Sequence, residues 1–364
     1  MVFFLWAGAA TSAAAAAWLE AVSYSKTHIV SPRSPTPAES MAVREFSKYW
    51  TACTGHAPSE GSQPEADKVN VWIGSAGHGL ISRHALKKTG AEGVLLKTFG
   101  SLEPGGPPGR AHLVLTGGPE RGVLNAVYQF FEDHMGVRWL TPEVTHVPSA
   151  PASLPPIAFT HAPAFAYRDV SYRVFWVYPE FGITHRLNGS WVYADPDLGG
   201  RVDYARGREG FGHTFHDYID PEDWFETNPE YFAEVNGRRQ PTQLCLTNPD
   251  VLDLTIRGVQ KVLREAEPYE RLVSVSQMDF DGYCTCANCA LLDARAGGQS
   301  GTLIYFVNQV AKAIEDEFPD VLVETLAYLH TQSPPRNLKP RDNVLVRLSS
   351  ILCDFSRPLD DGSS

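Results

Sequence analysis

The sequence has few basic residues, and this shortage limits the classes of protein to consider. Its 364 residues include 31 Lys and Arg against 42 Asp and Glu, a formal net charge of −11. Nucleic-acid-binding proteins usually present a basic face, so we expect no nucleic-acid partner. Beyond the N-terminal segment, no stretch approaches the length of about 18 apolar residues that suggests a membrane span. Stable membrane insertion beyond a signal peptide is therefore not expected.

Motifs of several enzyme classes are also missing. The chain has neither the GxGxxG nor the Walker spacing, and nothing in it suggests a nucleotide cofactor. It lacks the GxSxG motif, so the sequence gives no support for an activated-serine hydrolase. It does contain 43% hydrophobic residues, with 8 Trp, 14 Tyr and 18 Phe. This composition is typical of a globular protein, and the aromatic residues fit sugar stacking as well as an ordinary core.

Residues 1–24 form a candidate signal segment. Residues 2–17 are small or apolar, and the first charge is Glu20. The run has about the length of a signal-peptide core, although the basic residue that normally precedes it is absent. A misassigned start or a fusion scar is the alternative interpretation. We expect a secreted or periplasmic protein, with the cytoplasm as the alternative.

Three of the six cysteines are close together in the sequence, in the run Cys284-Thr-Cys286-Ala-Asn-Cys289. This spacing suits a structural zinc site if a fourth ligand comes from elsewhere, and Cys245, Cys353 or a His could supply it. Disulfides or free thiols in a turn are the alternatives. No cofactor is required by the chemistry predicted below, so this zinc would be structural.

Residues 25–145 predict a small α/β sandwich domain. Strands are expected over 27–30, 69–73, 93–99 and 111–116, with helices over 38–52 and around 123–131. The order β-α-β-β-β-α predicts a sheet with its helices on one side. Residues 146–165 are rich in Pro and Ala, which is typical of a linker.

Residues 166–364 predict a β/α domain. Strands are expected over 166–172, 243–246, 272–276, 321–328 and 344–351, and Asn248-Pro249 and Ser300 begin helices. Alternating strands and helices favour a parallel sheet, and both a β/α barrel and an open doubly wound sheet fit. Large irregular loops after the strands favour the barrel. Because only five strands are found, the predicted fold is an incomplete (β/α)8 TIM-type barrel, apparently truncated at the C-terminus.

The candidate catalytic residues are Asp279 and Asp281, which follow the strand expected over 272–276. Two residues apart in an extended chain, their side chains point to the same side. Glycoside hydrolysis uses a pair of carboxyl groups flanking the bond, and an acid in a barrel enzyme belongs at a strand's C-terminal end. An ordinary Asp-Gly turn is the alternative. Glu324, on the next strand, would be a second carboxylate only if it pointed inward.

Aromatic, His and amide side chains around these acids are candidate sugar contacts. The predicted substrate-binding residues are Arg168, Trp176, His213, His216, Gln277, Tyr283 and Tyr328. Arg168 could clamp a carboxylate with two hydrogen bonds or form a structural ion pair. The two His, three residues apart, could contact sugar, hold a metal or simply shape a loop.

Several ordered motifs carry a family resemblance. They are Gly210-Phe-Gly-His-Thr-Phe-His216, Asn228-Pro-Glu-Tyr-Phe232, Gln243-Leu-Cys-Leu-Thr-Asn-Pro249, Ser274-Val-Ser-Gln-Met-Asp279, Gly282-Tyr-Cys-Thr-Cys286, Leu326-Ala-Tyr328 and Cys353-Asp-Phe355. With them the chain resembles the bacterial domain of unknown function 4838 family. Upstream, Arg121-Gly122, Ala126-Val-Tyr128 and Gly136-Val-Arg-Trp-Leu140 resemble the N-terminal domain that precedes the barrels of α-glucuronidases and β-hexosaminidases.

The resemblance covers roughly residues 25–361. It implies a glycosidase-like barrel, often in secreted bacterial proteins, without a settled substrate. Family members continue well past the point where this chain ends. The family pattern has Asn where Met278 stands and varies more at position 281, so Asp279 is the better catalytic candidate. We expect a glycoside hydrolase-like protein with a carbohydrate substrate, a polysaccharide or uronate-containing glycan. The alternative is a non-catalytic carbohydrate-binding protein with a degenerate or truncated barrel.

Overall fold

The computed structural model describes residues 17–100 and 111–358, and these described residues form two compact units that meet in the sequence between Arg201 and Val202. Residues 1–16, most of the candidate signal segment, lie outside the described residues. None of the helices in the described part of the chain is long and apolar enough to cross a membrane. The predicted domain bounds themselves stay predictions.

The first unit contains both strands and α-helices. They are β1 (Leu19–Glu20), β2 (Thr27–Val30), α1 (Pro37–Thr54), β3 (Ser59–Gly61), β4 (Val69–Ile73), α2 (Arg83–Lys87), β5 (Val94–Phe99), β6 (His112–Gly117), α3 (Gly122–His134), β7 (Arg138–Trp139), β8 (Thr145–His146), β9 (Ser153–Leu154), β10 (Ala158–His161), α4 (Arg173–Val177) and α5 (Pro179–Thr184). The strands and the two long helices of the predicted β-α-β-β-β-α order are present, but β3 follows α1 and the short helix α2 lies between β4 and β5, so the predicted order is wrong at these two places.

The main sheet of the first unit has the order β10-β5-β6-β4-β2-β3, in which β5 runs antiparallel to both of its neighbours. Helices α1 and α3 cover one face, where Phe46 and Phe131 pack with ring centroids 5.3 Å apart. The expectation of helices on one side only is wrong. Ala85 and Leu86 of α2 pack against Leu95 and Val114 on the opposite face, because a largely parallel sheet must bury both faces.

The Pro-rich segment 146–165 contributes strands to this unit. β10 pairs antiparallel with β5, and β9 pairs antiparallel with β1. The segment therefore extends the sheet at its edge, where Pro residues that lack an N–H are tolerated.

The second unit contains the elements that position the predicted site. They are β11 (Asp203–Tyr204), α6 (Phe215–Tyr218), α7 (Pro221–Trp224), β12 (Phe232–Val235), β13 (Arg238–Leu244), α8 (Pro249–Arg264), β14 (Glu270–Ser274), α9 (Ala287–Ala296), α10 (Ser300–Ile314), β15 (Leu322–Ala327) and β16 (Val344–Leu348). Four of its strands form a fully parallel sheet in the order β11-β14-β15-β16. The core between this sheet and α10 includes Val273, Val323 and Phe306.

Two of the strands predicted for the barrel do not belong to the parallel sheet. Residues 166–172 form no strand, because their polar groups bond to a nearby loop of the first unit. The Arg168 carbonyl accepts the Asn188 and Gly189 N–H groups, and the Asp169 carboxylate accepts the Trp191 N–H. Residues 243 and 244 are the end of β13, which pairs with β12 in an antiparallel hairpin outside the parallel sheet, and residues 245 and 246 form no strand.

Candidate active site

The carboxyl ends of the parallel strands bring several predicted residues together. β14 and β15 are paired, with Ser274 opposite Glu324, so the segments that follow them leave the same edge of the sheet. The loop after β11 joins them, since the Thr214 and Phe215 N–H groups both donate to the Ser276 carbonyl at 3.1 Å. We call His213, Gln277, Asp279 and Tyr328, which lie at this edge, the strand-end cluster.

Asp279 is exposed and lies five residues beyond the last residue of β14, in a loop. The Tyr328 hydroxyl donates to its carboxylate, with 2.8 Å between Oη and Oδ1. This hydrogen bond raises the pKa of Tyr328, because ionisation would remove the donor and place a second anion beside the carboxylate. Asp279 thus presents an open carboxylate held from one side by a phenol.

Gln277 is buried and ties the end of β14 to the end of β15. Its Nε2 donates to the Tyr328 carbonyl at 2.9 Å, and its Oε1 accepts from the Thr331 hydroxyl at 2.6 Å. Gln277 therefore fixes the backbone of Tyr328, and its role as a sugar contact stays a prediction.

His213 is half-buried, with its ring 6.0 Å from that of Tyr328. Its Nδ1 lies 2.7 Å from the Gln277 carbonyl oxygen. Because a carbonyl only accepts, the proton sits on Nδ1, and Nε2 of the neutral ring is an acceptor. The residue has φ +53°, a left-handed conformation, so the surrounding contacts hold it against a backbone preference.

Asp281 and Tyr283 follow on the same loop. Asp281 is exposed, and its charge opposes the lowering of the His330 pKa that burial causes. The Tyr283 ring stacks on His330 with centroids 4.5 Å apart, and its hydroxyl accepts from Gln299 Nε2 at 2.6 Å. A cavity of about 30 Å³ lined by Tyr283 and His330 has room for one or two waters.

His216 lies on the other side of this loop, where its ring is 5.9 Å from that of Phe280. Burial lowers its pKa, so the neutral ring is favoured. The described residues with metal-ligating geometry do not include either His. The interpretation of His213 and His216 as a metal pair therefore has no support from this geometry.

Arg168 and Trp176 belong to the first unit. Arg168 NH2 pairs with the Glu92 carboxylate at 2.6 Å, and its Nε donates to the Arg186 carbonyl at 2.9 Å. Trp176 is half-buried and stacks on Trp191, with ring centroids 4.9 Å apart. The structural ion pair, one of the two alternatives for Arg168, is present, and substrate contacts by Arg168 and Trp176 stay predictions.

Glu324 points into the second unit and is fully buried. Its Oε2 accepts from the Ser274 hydroxyl at 2.6 Å, and Arg347 Nε lies 3.4 Å from Oε1. Burial raises the pKa of Glu324 above its usual 4.5. Glu324 is therefore protonated more readily than an exposed carboxyl group.

Four buried cysteines form a second cluster, which we call the four-cysteine cluster: Cys245, Cys284, Cys286 and Cys289. Their sulfur atoms all lie within 4.8 Å of one another, and Cys245 Sγ is 3.8 Å from Cys286 Sγ and 4.0 Å from Cys289 Sγ. Hydrogen bonds from Cys284 and Cys289 lower the pKa of the Cys245 thiol. Of the proposed fourth partners the structure brings Cys245, and not Cys353, to the three neighbouring cysteines.

Sequence reasoning missed Gln243, which is buried beside the acidic loop, residues 278–283. Its Nε2 donates to the Met278 and Phe280 carbonyls at 3.0 and 2.7 Å, and its Oε1 accepts the Met278 N–H at 2.9 Å. A Gln in an otherwise apolar stretch, two residues before a Cys, was the available signal. Its side-chain amide therefore fixes the backbone on both sides of Asp279.

The sequence comparisons identify a family. The model described as "Domain of unknown function (DUF4838)" matches residues 139–364, which include all of the strand-end cluster and the four-cysteine cluster. The match covers more than half of the chain, and the chain belongs to this family. No curated protein matches it.

Similar solved structures include glycoside hydrolases, all at low identity. A 4-O-methyl-α-glucuronidase of family GH115, with specificity for decorated arabinogalactans, is 11% identical with a TM-score of 0.44, covering 84% of this chain and 42% of that one. A β-N-acetylhexosaminidase from Bacteroides fragilis is 11% identical with a TM-score of 0.40, covering 88% and 65%. A GH20 exo-β-N-acetylglucosaminidase from Vibrio harveyi is 8% identical with a TM-score of 0.40, covering 88% and 54%. The chain thus spans less than two thirds of each of these proteins, and the likeness assigns no substrate or residue role.

Proposed function

We propose that this protein is glycoside hydrolase-like and acts on, or recognises, the glycosidic bonds of an extracellular polysaccharide or uronate-containing glycan. The observation that carries the proposal is the strand-end cluster. An exposed carboxylate, a phenol and an imidazole acceptor gather at the carboxyl edge of a parallel sheet. In β/α barrel enzymes this edge carries the catalytic groups.

Asp279 is the proposed general acid, or the carboxylate that orients a sugar substituent, and Asp281 its candidate partner. Glycosidases place one carboxyl group to protonate the leaving oxygen and another to act as base or nucleophile. The Tyr328 hydroxyl would steady the Asp279 carboxylate, and the acceptor Nε2 of His213 suits a sugar hydroxyl donor. Positioned acid–base groups contribute roughly 10²–10⁴-fold to such reactions.

The remaining predicted contacts lie in both units, and those of each unit are proposed by themselves. Tyr283 presents an aromatic face, while His216 and Gln277 act from the two sides of the acidic loop. In the first unit, taken by itself, Trp176 would stack on a sugar ring and Arg168 would bind a hydroxyl or a uronate. The neutralisation of Arg168 by Glu92 makes hydroxyl binding the better fit for that residue, because much of its charge is already paired.

The incomplete barrel belongs to the same proposal. The sheet order β11-β14-β15-β16 follows the chain order without reversal. A doubly wound sheet reverses direction at a switch point, whereas a barrel adds each new strand on the same side. The order therefore supports four neighbouring strands of a TIM-type barrel.

The predicted structural zinc at Cys284, Cys286 and Cys289 would stabilise this site without taking part in the reaction, since a carboxyl pair needs no metal. A secreted or periplasmic location is proposed with it, because a polysaccharide substrate lies outside the cytoplasm.

The test is a glycan panel that contains neutral and uronate-bearing polysaccharides, assayed for released reducing ends. On a substrate that the parent cleaves, Asp279→Asn should lower kcat by roughly 10²–10⁴-fold. Asp253→Asn, on the exposed side of α8, is the matched control and should leave the rate unchanged. Full activity of Asp279→Asn would refute the catalytic assignment.

The second candidate is a carbohydrate-binding protein without turnover. The exposure of Asp279 favours it, because an acid catalyst is usually tuned by burial, whereas an open carboxylate suits hydroxyl binding. Calorimetric binding of an oligosaccharide with no reducing ends released would support this candidate over the hydrolase.

A further inference from the structure

The acidic loop runs directly into the four-cysteine cluster, since Tyr283 is followed by Cys284. We infer that one zinc ion, held by Cys245 together with the three neighbouring cysteines, fixes the acidic loop in the position seen here. Cys245 is the positioning ligand that ties this loop to the β12–β13 hairpin. The link to carbohydrate chemistry rests on the proposed role of Asp279, whereas the zinc site itself does not.

The sulfur geometry fits a tetrahedral zinc site. Zinc–thiolate bonds of about 2.3 Å place the four sulfur atoms of a tetrahedron about 3.8 Å apart. The distances from Cys245 Sγ to Cys286 Sγ and Cys289 Sγ are 3.8 and 4.0 Å. A disulfide requires about 2.05 Å, and all four cysteines are free. Four protein ligands leave no open position, which is the arrangement of a structural site.

The surroundings of the sulfur atoms suit thiolates. The Glu234 N–H donates to Cys284 Sγ at 3.3 Å, and Arg239 NH1 lies 3.8 Å from the same atom. The Thr247 hydroxyl is 3.2 Å from Cys289 Sγ. Zinc with four thiolates carries a net charge of −2, so a guanidinium and neutral donors at the sulfur atoms offset buried negative charge. Zinc binding displaces up to four thiol protons to solvent.

The hairpin holds the acidic loop at three successive points. Gln243 bonds to the backbone around Asp279, and the Thr242 hydroxyl donates to the Gly282 carbonyl at 2.9 Å. Gly282 has φ +98°, and a Cβ there would lie 2.8 Å from Thr242 Oγ1, so only glycine allows this close approach. Cys245 is the third point.

Of these three points only the metal link is strong. A neutral hydrogen bond exchanges with water and adds little net stability, whereas a structural zinc site contributes far more. Without the ion, the loop would therefore open locally while the strands beneath it remained folded.

The experiment uses the full chain purified without chelator and measures metal by mass spectrometry. We expect about one zinc per chain. Cys245→Ser should lose most of it, whereas Cys353→Ser, a cysteine outside the cluster, should retain it. Cobalt reconstitution should give thiolate-to-cobalt charge-transfer absorption in the parent and in Cys353→Ser. A metal-free parent, or cysteines paired as disulfides, would overturn the inference.

Hydrogen exchange then tests the positioning role. Removal of zinc from the parent by a chelator should raise amide exchange in residues 278–283 by about tenfold or more, while α10 stays protected. This arm does not depend on whether Cys245→Ser folds. Unchanged exchange in the loop would refute the positioning role. Neither readout uses a glycan, so the absence of glycosidase activity would count against the proposed function alone.

Discussion

Two carboxylates, Glu92 in the first unit and Asp279 in the second, have opposite surroundings. Glu92 is 7% exposed and accepts hydrogen bonds from Arg121, Arg168 and Asn188. Asp279 is exposed and receives one hydrogen bond, from Tyr328. A buried carboxylate saturated by cations and amides stabilises its own unit. A strand-end carboxylate that is held on one side and open on the other has capacity for a ligand.

The largest effect is expected when the Glu92 carboxylate, the one with several hydrogen-bond donors, is removed. Glu92→Gln leaves Arg121, which is fully buried, and Arg168 beside a neutral amide. Removing one partner of a buried ion pair typically costs about 3–5 kcal/mol, and we expect that loss in the free energy of unfolding. Urea unfolding followed by tryptophan fluorescence measures it.

The control for this prediction is Glu132→Gln in the same unit. Glu132 pairs with Arg186 at 2.6 Å but is 32% exposed, and a pair of that kind contributes about 0–1 kcal/mol. Equal losses in the two variants would mean that burial of the Glu92 network does not set its contribution.

How well sequence patterns predict an element depends on where its determinants lie. Helices α1 and α8 were predictable, because their signals are local. Thr36 and Glu39 form a capping box, and Asn248 caps α8 ahead of Pro249. The hairpin also has a local signal, Asn236-Gly237, whose φ values of +52° and +73° suit a two-residue turn.

Other features had no local signal. β11 has two residues, too few for a periodicity, and its place in the sheet comes from pairing with β14. Residues 166–172 look like a strand, yet their hydrogen bonds go to a loop about 20 residues away. Cys245 was one of three kinds of fourth ligand, and only the fold selects it across a separation of 41 residues from Cys286. Asp279 was predicted as a candidate, whereas its contact with Tyr328 depends on the register of β14 and β15.

A second, smaller effect concerns Glu324, the buried carboxyl group of the second unit. Its folded pKa is raised by burial, so between about pH 4.5 and that raised value the folded state binds more protons than the unfolded state. Its contribution to stability is therefore present below the unfolded pKa and is lost as the pH rises through the folded pKa.

Glu324→Gln should remove this dependence, so that stability declines less than in the parent as the pH rises above about 4.5. The measurement is the free energy of urea unfolding across that range. Glu267→Gln, an exposed carboxylate of the same unit, should follow the parent curve. If both variants kept the parent's slope, Glu324 would be ionised in the folded state throughout the range.

The smallest effect on stability is expected at Asp279 itself. Because the side chain is exposed and makes one hydrogen bond, Asp279→Asn should change the free energy of unfolding by no more than about 0.5 kcal/mol.

The same substitution should still lower the pKa of Tyr328 toward its usual value of 10, because the carboxylate that raises it is gone. NMR titration of tyrosine labelled at Cζ measures that pKa, with Asp253→Asn as control. An unchanged Tyr328 pKa would mean that the two side chains do not interact in solution. A large loss of stability would make Asp279 a structural carboxylate like Glu92, and the contrast between the two units would no longer hold.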